Sequence, residues 1–220
     1  MTTQEVKRKL AAILNADVEG YSYLMGEDEE GTLCILMPYI EVMAGFIQHH
    51  RGRVFGTAGD SVMAEFASVV DAVQCAVEIQ KELKTRNVDL AENRRMEFRI
   101  GINIGDVIEK GEQIYGDGVN IAARVQSLAD GGGICISGTA YDTVKNKLEL
   151  KYESMGERRV KNISDPVRVY RALMELGAEI DRKVVPVSTG NDDQESGGEE
   201  EPEILAQTLL QDFGTRTVIP

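Results

Sequence analysis

Apolar residues along this chain keep two different rhythms. The run Leu10-Ala-Ala-Ile-Leu-Asn-Ala-Asp17-Val18 is short and almost continuous, as a buried strand is, and Glu19-Gly20-Tyr21-Ser22 behind it reads as a turn. Between 68 and 86 the rhythm changes to helical spacing, with Val69, Val70, Val73, Ala76, Val77 and Leu83 on one stripe and Ser68 or Asp71 near its start. Between them, Arg53-Val-Phe-Gly-Thr-Ala-Gly59-Asp60-Ser-Val-Met-Ala-Glu-Phe66 sets two β-type runs around a Gly-Asp pair, which signals a hairpin over 52–66. The same reading predicts strands over 9–18, 96–104, 106–109, 133–137, 150–155 and 167–174, and helices over 30–50, 118–129 and 138–146. Strands mixed with helices after an early hairpin predict an α+β fold, with helices covering one face of a mainly antiparallel sheet.

That layout gives two aspartates a common setting. Asp17 stands at the mouth of a strand and Asp60 at the tip of a hairpin; if their strands are neighbours, both carboxylates can face one point. Hard divalent ions such as Mg²⁺ are held by such carboxylates together with substrate phosphates. Taken singly, one reads first as a turn residue and the other as a helix cap. Further on, Gln113-Ile-Tyr-Gly-Asp-Gly-Val-Asn120-Ile-Ala-Ala-Arg124-Val-Gln-Ser-Leu128 opens a helix from a glycine-rich turn, and Asn120 and Arg124, four apart, project from one face. A guanidinium there can grip phosphate oxygens in pairs; the alternative is a solvated face with an ion pair to Asp117 or Asp130. Two other phosphate and metal signals fail. Asn15, Asp17, Glu19 and Gly20 imitate the start of an EF-hand loop, whose twelfth position should be Glu and is Gly26. Gly131-Gly-Gly133 lacks the Lys-Ser or Lys-Thr of a Walker loop, and reads as a helix terminator.

With these pieces in order, the chain resembles the catalytic domain of the class III nucleotidyl cyclases. The likeness runs through Arg8-Lys-Leu-Ala-Ala-Ile-Leu-Asn-Ala-Asp-Val-Glu-Gly-Tyr-Ser22, Gly59-Asp-Ser-Val-Met-Ala64, Phe98-Arg-Ile-Gly-Ile-Asn-Ile-Gly105, Tyr115-Gly-Asp-Gly-Val-Asn-Ile-Ala-Ala-Arg124 and Val160-Lys-Asn-Ile163, and so covers residues 7 to 174. It implies a ferredoxin-like βαββαβ core and a head-to-tail homodimer with shared active sites, converting a nucleoside triphosphate to a 3′,5′-cyclic nucleotide and pyrophosphate. It further implies that Asp17 and Asp60, with the Val18 backbone carbonyl, hold two divalent cations, Mg²⁺ or Mn²⁺. Gly20, Tyr21, Ser22 and Lys161 would contact the triphosphate, Asn120 would orient the ribose, and Arg124 would stabilise the α-phosphate.

Two departures from the family pattern bear on the base. Adenylate-specific relatives carry a lysine three residues before the glycine of the second motif and an aspartate three before that of the third, and guanylate-specific relatives a glutamate and a cysteine. Here the positions hold Gly56 and Gln113, which leaves Phe55, Gly56, Thr57 and Gln113 as base-recognition candidates. A glutamine amide both donates and accepts, so it does not select among the four bases. Cyclic AMP is the default product; a body without a sensor domain or the purine pair also resembles the pyrimidine cyclases of bacterial anti-phage defence, which make cyclic UMP or CMP. Asp106 replaces an arginine of animal members, which with Gly56 leaves a catalytically inactive sensor or scaffold as a further reading.

Composition narrows the rest. With 42% apolar residues, 5% aromatics and no Trp in 220 residues, one sizeable core of aliphatic side chains is expected. Cys34, Cys75 and Cys135 lack metal-ligand spacing and read as reduced core residues of a cytoplasmic protein. Pro38 and Glu41 interrupt the longest apolar run, so no membrane span is expected. The net charge of −13 disfavours nucleic acid as a partner. Ten acidic and three basic side chains fall within 177–220, dividing the chain into a catalytic domain over 1–176 and an acidic, flexible tail. In that tail Ile204, Leu205, Thr208, Leu209 and Phe213 keep helical spacing, as a short docking helix for a partner or for the chain's own body would.

Overall fold

The computed structural model describes residues 7–161, 163 and 165–174; the chain divides into Met1–Gly177 and Ala178–Pro220, and everything below concerns the first unit. The acidic tail and its docking helix lie outside the described residues. Strands β1 (Lys7–Val18), β2 (Arg53–Ala58), β3 (Ser61–Phe66) and β4 (Phe98–Lys110) stand in the order β2-β3-β1-β4, all antiparallel. With α1 (Tyr21–Glu27) and α2 (Glu29–His49) between the first two strands and α3 (Val69–Val88) before β4, this is the expected βαββαβ core. The sheet continues through β6 (Ile134–Ser137), parallel to β4, then β8 (Val167–Leu173) and β7 (Lys151–Arg158), while β5 (Gln113–Tyr115) folds back on β4.

Alternation along β1 splits the core in two. Ala12, Leu14, Ala16 and Val18 enter the main core with Leu36, Tyr39, Met43 and Ile47 of α2, the stripe of α3, and Ala140 and Val144 of α5 (Gly138–Val144). Ala11 and Ile13 point the other way, onto Phe55, Val107, Ile114 and Ala122. The last belongs to α4 (Asp117–Gln126). Helices therefore cover both faces, not one: α4 alone takes the second, because Gly101 on β4 lets it lie directly on the strand. A Cβ at Gly101 would overlap the Gln126 amide nitrogen and the Ala122 carbonyl.

Four local expectations change. The turn after β1 is the helix α1, and the strands expected at 96–104 and 106–109 are one strand continuing through Gly105. Pro38 and Glu41, expected to break the apolar run, leave the predicted helix α2 as, among the described residues, the one helix long and apolar enough to cross a membrane by length and composition. Its inner face is packed into the main core, as in the core helix of a folded domain. Cys34 is exposed on α2, not buried; Cys75 and Cys135 are core residues, and burial pushes their thiols up to about 12 and about 11.

Candidate active site

Alternation that sends Val18 into the core puts Asn15 and Asp17 on the opposite face, the one beneath α4. Asp60 reaches the same place from the β2–β3 turn, where Gly59 takes a left-handed backbone (φ 60°). Its Oδ2 accepts the Val18 backbone N–H at 2.9 Å, fixing the hairpin tip against the end of β1. The structure thus brings together the two aspartates that lie 43 positions apart in sequence. Gly20, also left-handed (φ 69°), turns the chain out of β1, so that Tyr21 and Ser22 open α1.

Asp17 is held by two residues, Arg99 and Gln126. Arg99, its register partner on β4, donates from Nε to Oδ1 at 3.0 Å and from Nη2 to Oδ2 at 3.1 Å, a bidentate grip. Gln126 of α4 donates from Nε2 to Oδ1, and Asn15 in turn donates to Gln126 Oε1 at 3.4 Å. Burial pushes the Asp17 carboxyl above its ordinary range; Arg99 pulls it down, and the charges of Asp60 and Glu19 add to the upward push. Sequence reasoning named neither Arg99 nor Gln126. The available signal was the polar alternation Arg99, Gly101, Asn103 along β4, which marks a strand face not given to the core.

Among the described residues no three His, Cys, Asp or Glu side chains converge. Asp17 and Asp60, with the Val18 backbone carbonyl at the strand end, would offer hard oxygen ligands only. That set fits Mg²⁺ or Mn²⁺, which take one or two carboxylates and leave the remaining positions to water and substrate phosphates.

Asn120 and Arg124 do not join this cluster within one chain. Ala122 and Gln126 face the sheet, and residues two positions away are rotated by about 200° on an α-helix. Asn120 and Arg124 therefore project from the far side of α4. Neither side chain makes a hydrogen bond or ion pair with another described residue, so the alternative of a pair with Asp117 or Asp130 is not realised; Asp130 pairs with Arg171 at 2.9 Å. Lys161 is exposed just beyond β7, the edge strand four places from β1 in the sheet.

The base-recognition candidates cluster where β2 meets the β4–β5 hairpin. Arg53 donates to the Glu112 carbonyl at 2.9 Å, next to Gln113. Gln113 and Thr57 are exposed and Gly56 is half-buried over Met63. Phe55 is the exception: a bulge turns its ring into the core against Ile114, which leaves it no free face.

A ferredoxin-like sheet extended by β6, β8 and β7, with paired carboxylates at the end of its central strand, has the architecture of a nucleotidyl cyclase catalytic domain. The chain belongs to the adenylate and guanylate cyclase catalytic domain family, whose model matches residues 4–175. It is 42% identical over 171 residues, 77% of its length, to a Rhizobium meliloti protein named "Putative adenylate cyclase 3", of which it spans only 29%. The adenylate/guanylate cyclase/hydrolase of Silicibacter pomeroyi superimposes with a TM-score of 0.73 at 35% identity, covering 78% of this chain and 100% of that one. The adenylyl cyclase CyaB of P. aeruginosa gives 0.69 at 25% identity, covering 78% and 97%.

Proposed function

We propose that this protein is a nucleotidyl cyclase, with ATP the first-choice substrate, working as a head-to-tail homodimer. In each site the metal carboxylates Asp17 and Asp60 of one chain would meet Asn120, Arg124 and Lys161 of the other. The observation that carries this reading is the split on α4: Gln126 faces its own chain's Asp17 while Asn120 and Arg124 face away from it, free of partners among the described residues. Such residues are available to a second copy, and two-fold symmetry would then supply two equivalent sites.

The reaction joins the ribose 3′-oxygen to the α-phosphorus as the bond from that phosphorus to the bridging oxygen breaks, and pyrophosphate leaves. Two divalent cations on Asp17, Asp60 and the Val18 carbonyl would supply Lewis acidity to the phosphate oxygens and acidify the 3′-hydroxyl. Arg124 grips the α-phosphate as charge grows there, and its planar fork allows two parallel hydrogen bonds. Asn120 holds the ribose so that its 3′-oxygen lies in line with the departing bridge. Lys161 and the opening of α1 at Gly20, Tyr21 and Ser22 steady the triphosphate. At the base, Gln113 and Thr57 offer both donors and acceptors, and Gly56 leaves room above Met63.

The 42% identical relative and the CyaB likeness favour adenine, while the missing purine pair keeps uracil in play. Incubating purified protein with ATP, GTP, UTP and CTP separately, with Mn²⁺ or Mg²⁺ and an Asp60→Ala control, decides both questions. A cyclic product that disappears in the control supports the cyclase and names its base. No product from any of the four, in a folded dimer, sinks the reading in favour of an inactive sensor.

A further inference from the structure

Gln126 is 3% exposed, and its neighbours on the buried side of α4, Ala122 and Val125, are apolar. A primary amide placed there costs free energy unless both its ends are bonded. Both are: it donates to Asp17 Oδ1 and accepts from Asn15, itself buried. Position 126 would pack equally well with a side chain of the same shape and no polar atoms. What the amide adds is a fixed orientation for one carboxylate, 109 residues away in sequence. Arg99 completes the clamp from β4. Gly101 makes the arrangement possible, since only a missing side chain lets α4 approach closely enough for Gln126 to reach the sheet.

We propose, resting on the cyclase reading above, that Gln126 is a positioning residue for the metal carboxylate Asp17 of its own chain, although it stands two residues from Arg124, which serves the other chain. Hydrogen-bonding partners behind metal ligands orient those ligands, and their removal typically costs tenfold or more in metal affinity or activity. Gln126 thus belongs functionally with Asp17 and Arg99, and α4 serves both sites of the dimer, one from each face.

The test has two readouts. In the first, binding of Mn²⁺ to the purified protein is followed by electron paramagnetic resonance of the free ion, with 3′-deoxyadenosine triphosphate, which lacks the attacking hydroxyl, present. Gln126→Met, similar in length and volume, should weaken Mn²⁺ binding about tenfold and raise the Mn²⁺ needed for half-maximal turnover, with a smaller change in kcat at saturating Mn²⁺. Unchanged Mn²⁺ binding overturns the proposal. In the second, chains are mixed at limiting Mn²⁺. Gln126→Met with Arg124→Ala should recover turnover, because one site of the mixed dimer has intact groups from both chains; Gln126→Met with Asp17→Asn should not. The reverse pattern would assign Gln126 to Asn120 and Arg124, failure of both mixtures would mark a general loss of structure, and either overturns the proposal. A wild-type protein that yields no cyclic product while its Mn²⁺ binding still falls on Gln126→Met sinks the cyclase reading and leaves the positioning role standing; a wild-type protein that binds no Mn²⁺ sinks both.

Discussion

The backbone N–H of Val18 donates to Asp60 Oδ2 at 2.9 Å, so the carboxylate at the hairpin tip is set by the strand that carries the other one. Asp60→Asn keeps an oxygen able to accept that bond and removes the charge. It should therefore lower turnover about a hundredfold, the scale of a lost metal ligand, and leave the melting temperature near that of the wild type. A large drop in melting temperature would instead make Asp60 chiefly a structural turn residue.

Gly101 is the seat of α4. A methyl group there meets backbone atoms at Ala122 and Gln126 that cannot step aside as a flexible side chain could. Gly101→Ala should destabilise the domain by about 2–3 kcal/mol, the range for overpacking against rigid neighbours, and should reduce activity by moving Gln126 off Asp17. Chemical denaturation measures the first effect and the product assay the second.

The cysteines provide a pH prediction. Burial raises the thiols of Cys75 and Cys135 to about 12 and about 11, above the ordinary value of 9. Folding therefore favours the protonated thiols: this contribution is complete below pH 9 and is lost as pH climbs through the raised values. Stability should fall between about pH 9 and about 12, and Cys75→Ala should flatten that fall. In the native protein at neutral pH a thiol reagent should modify Cys34 alone, the exposed cysteine, and reach all three after denaturation. Native labelling of Cys75 would contradict its place in the core.

Gly56 and Gln113 sit where β2 approaches the β4–β5 hairpin, and a side chain added at Gly56 would meet only the mobile end of Met63. Introducing the purine pair of adenylate-specific cyclases by Gly56→Lys with Gln113→Asp should therefore be tolerated and should shift the ratio of turnover with ATP to that with the other triphosphates about tenfold, the scale of one well-placed polar contact. An unchanged ratio in a folded double variant would place base recognition elsewhere.

Much of this was legible in the sequence because periodicity and turn chemistry act locally. The β1 run, the Gly59-Asp60 hairpin and the α3 stripe were each signalled by residues within their own segment. The helix α1 was not, because it is only seven residues long and just Tyr21 and Leu24 pack against the core, too short a stripe to read. Gly105 suggested a break in β4 where it instead accommodates α4, lying against Gly118. At the site, Asp17 and Asp60 stood out by type and by turn position, and Asn120 and Arg124 by their helical spacing. Arg99 and Gln126 were hidden because their meaning is set by strand register and helix contact, across 82 and 109 positions of chain. The two faces of α4 are distinguished by Ala122 and Gln126, which lie on the sheet.

The most direct test of a site divided between two chains is turnover by mixed dimers. Asp17→Asn and Arg124→Ala should each be nearly inactive alone. After the two are unfolded and refolded together, half of the dimers should be mixed, each with one intact site of two, so about a quarter of wild-type turnover should return. If the mixture stays as inactive as its components, with mixed dimers shown to form, then the carboxylates and the Asn120–Arg124 face do not meet across the dimer and the shared site is wrong.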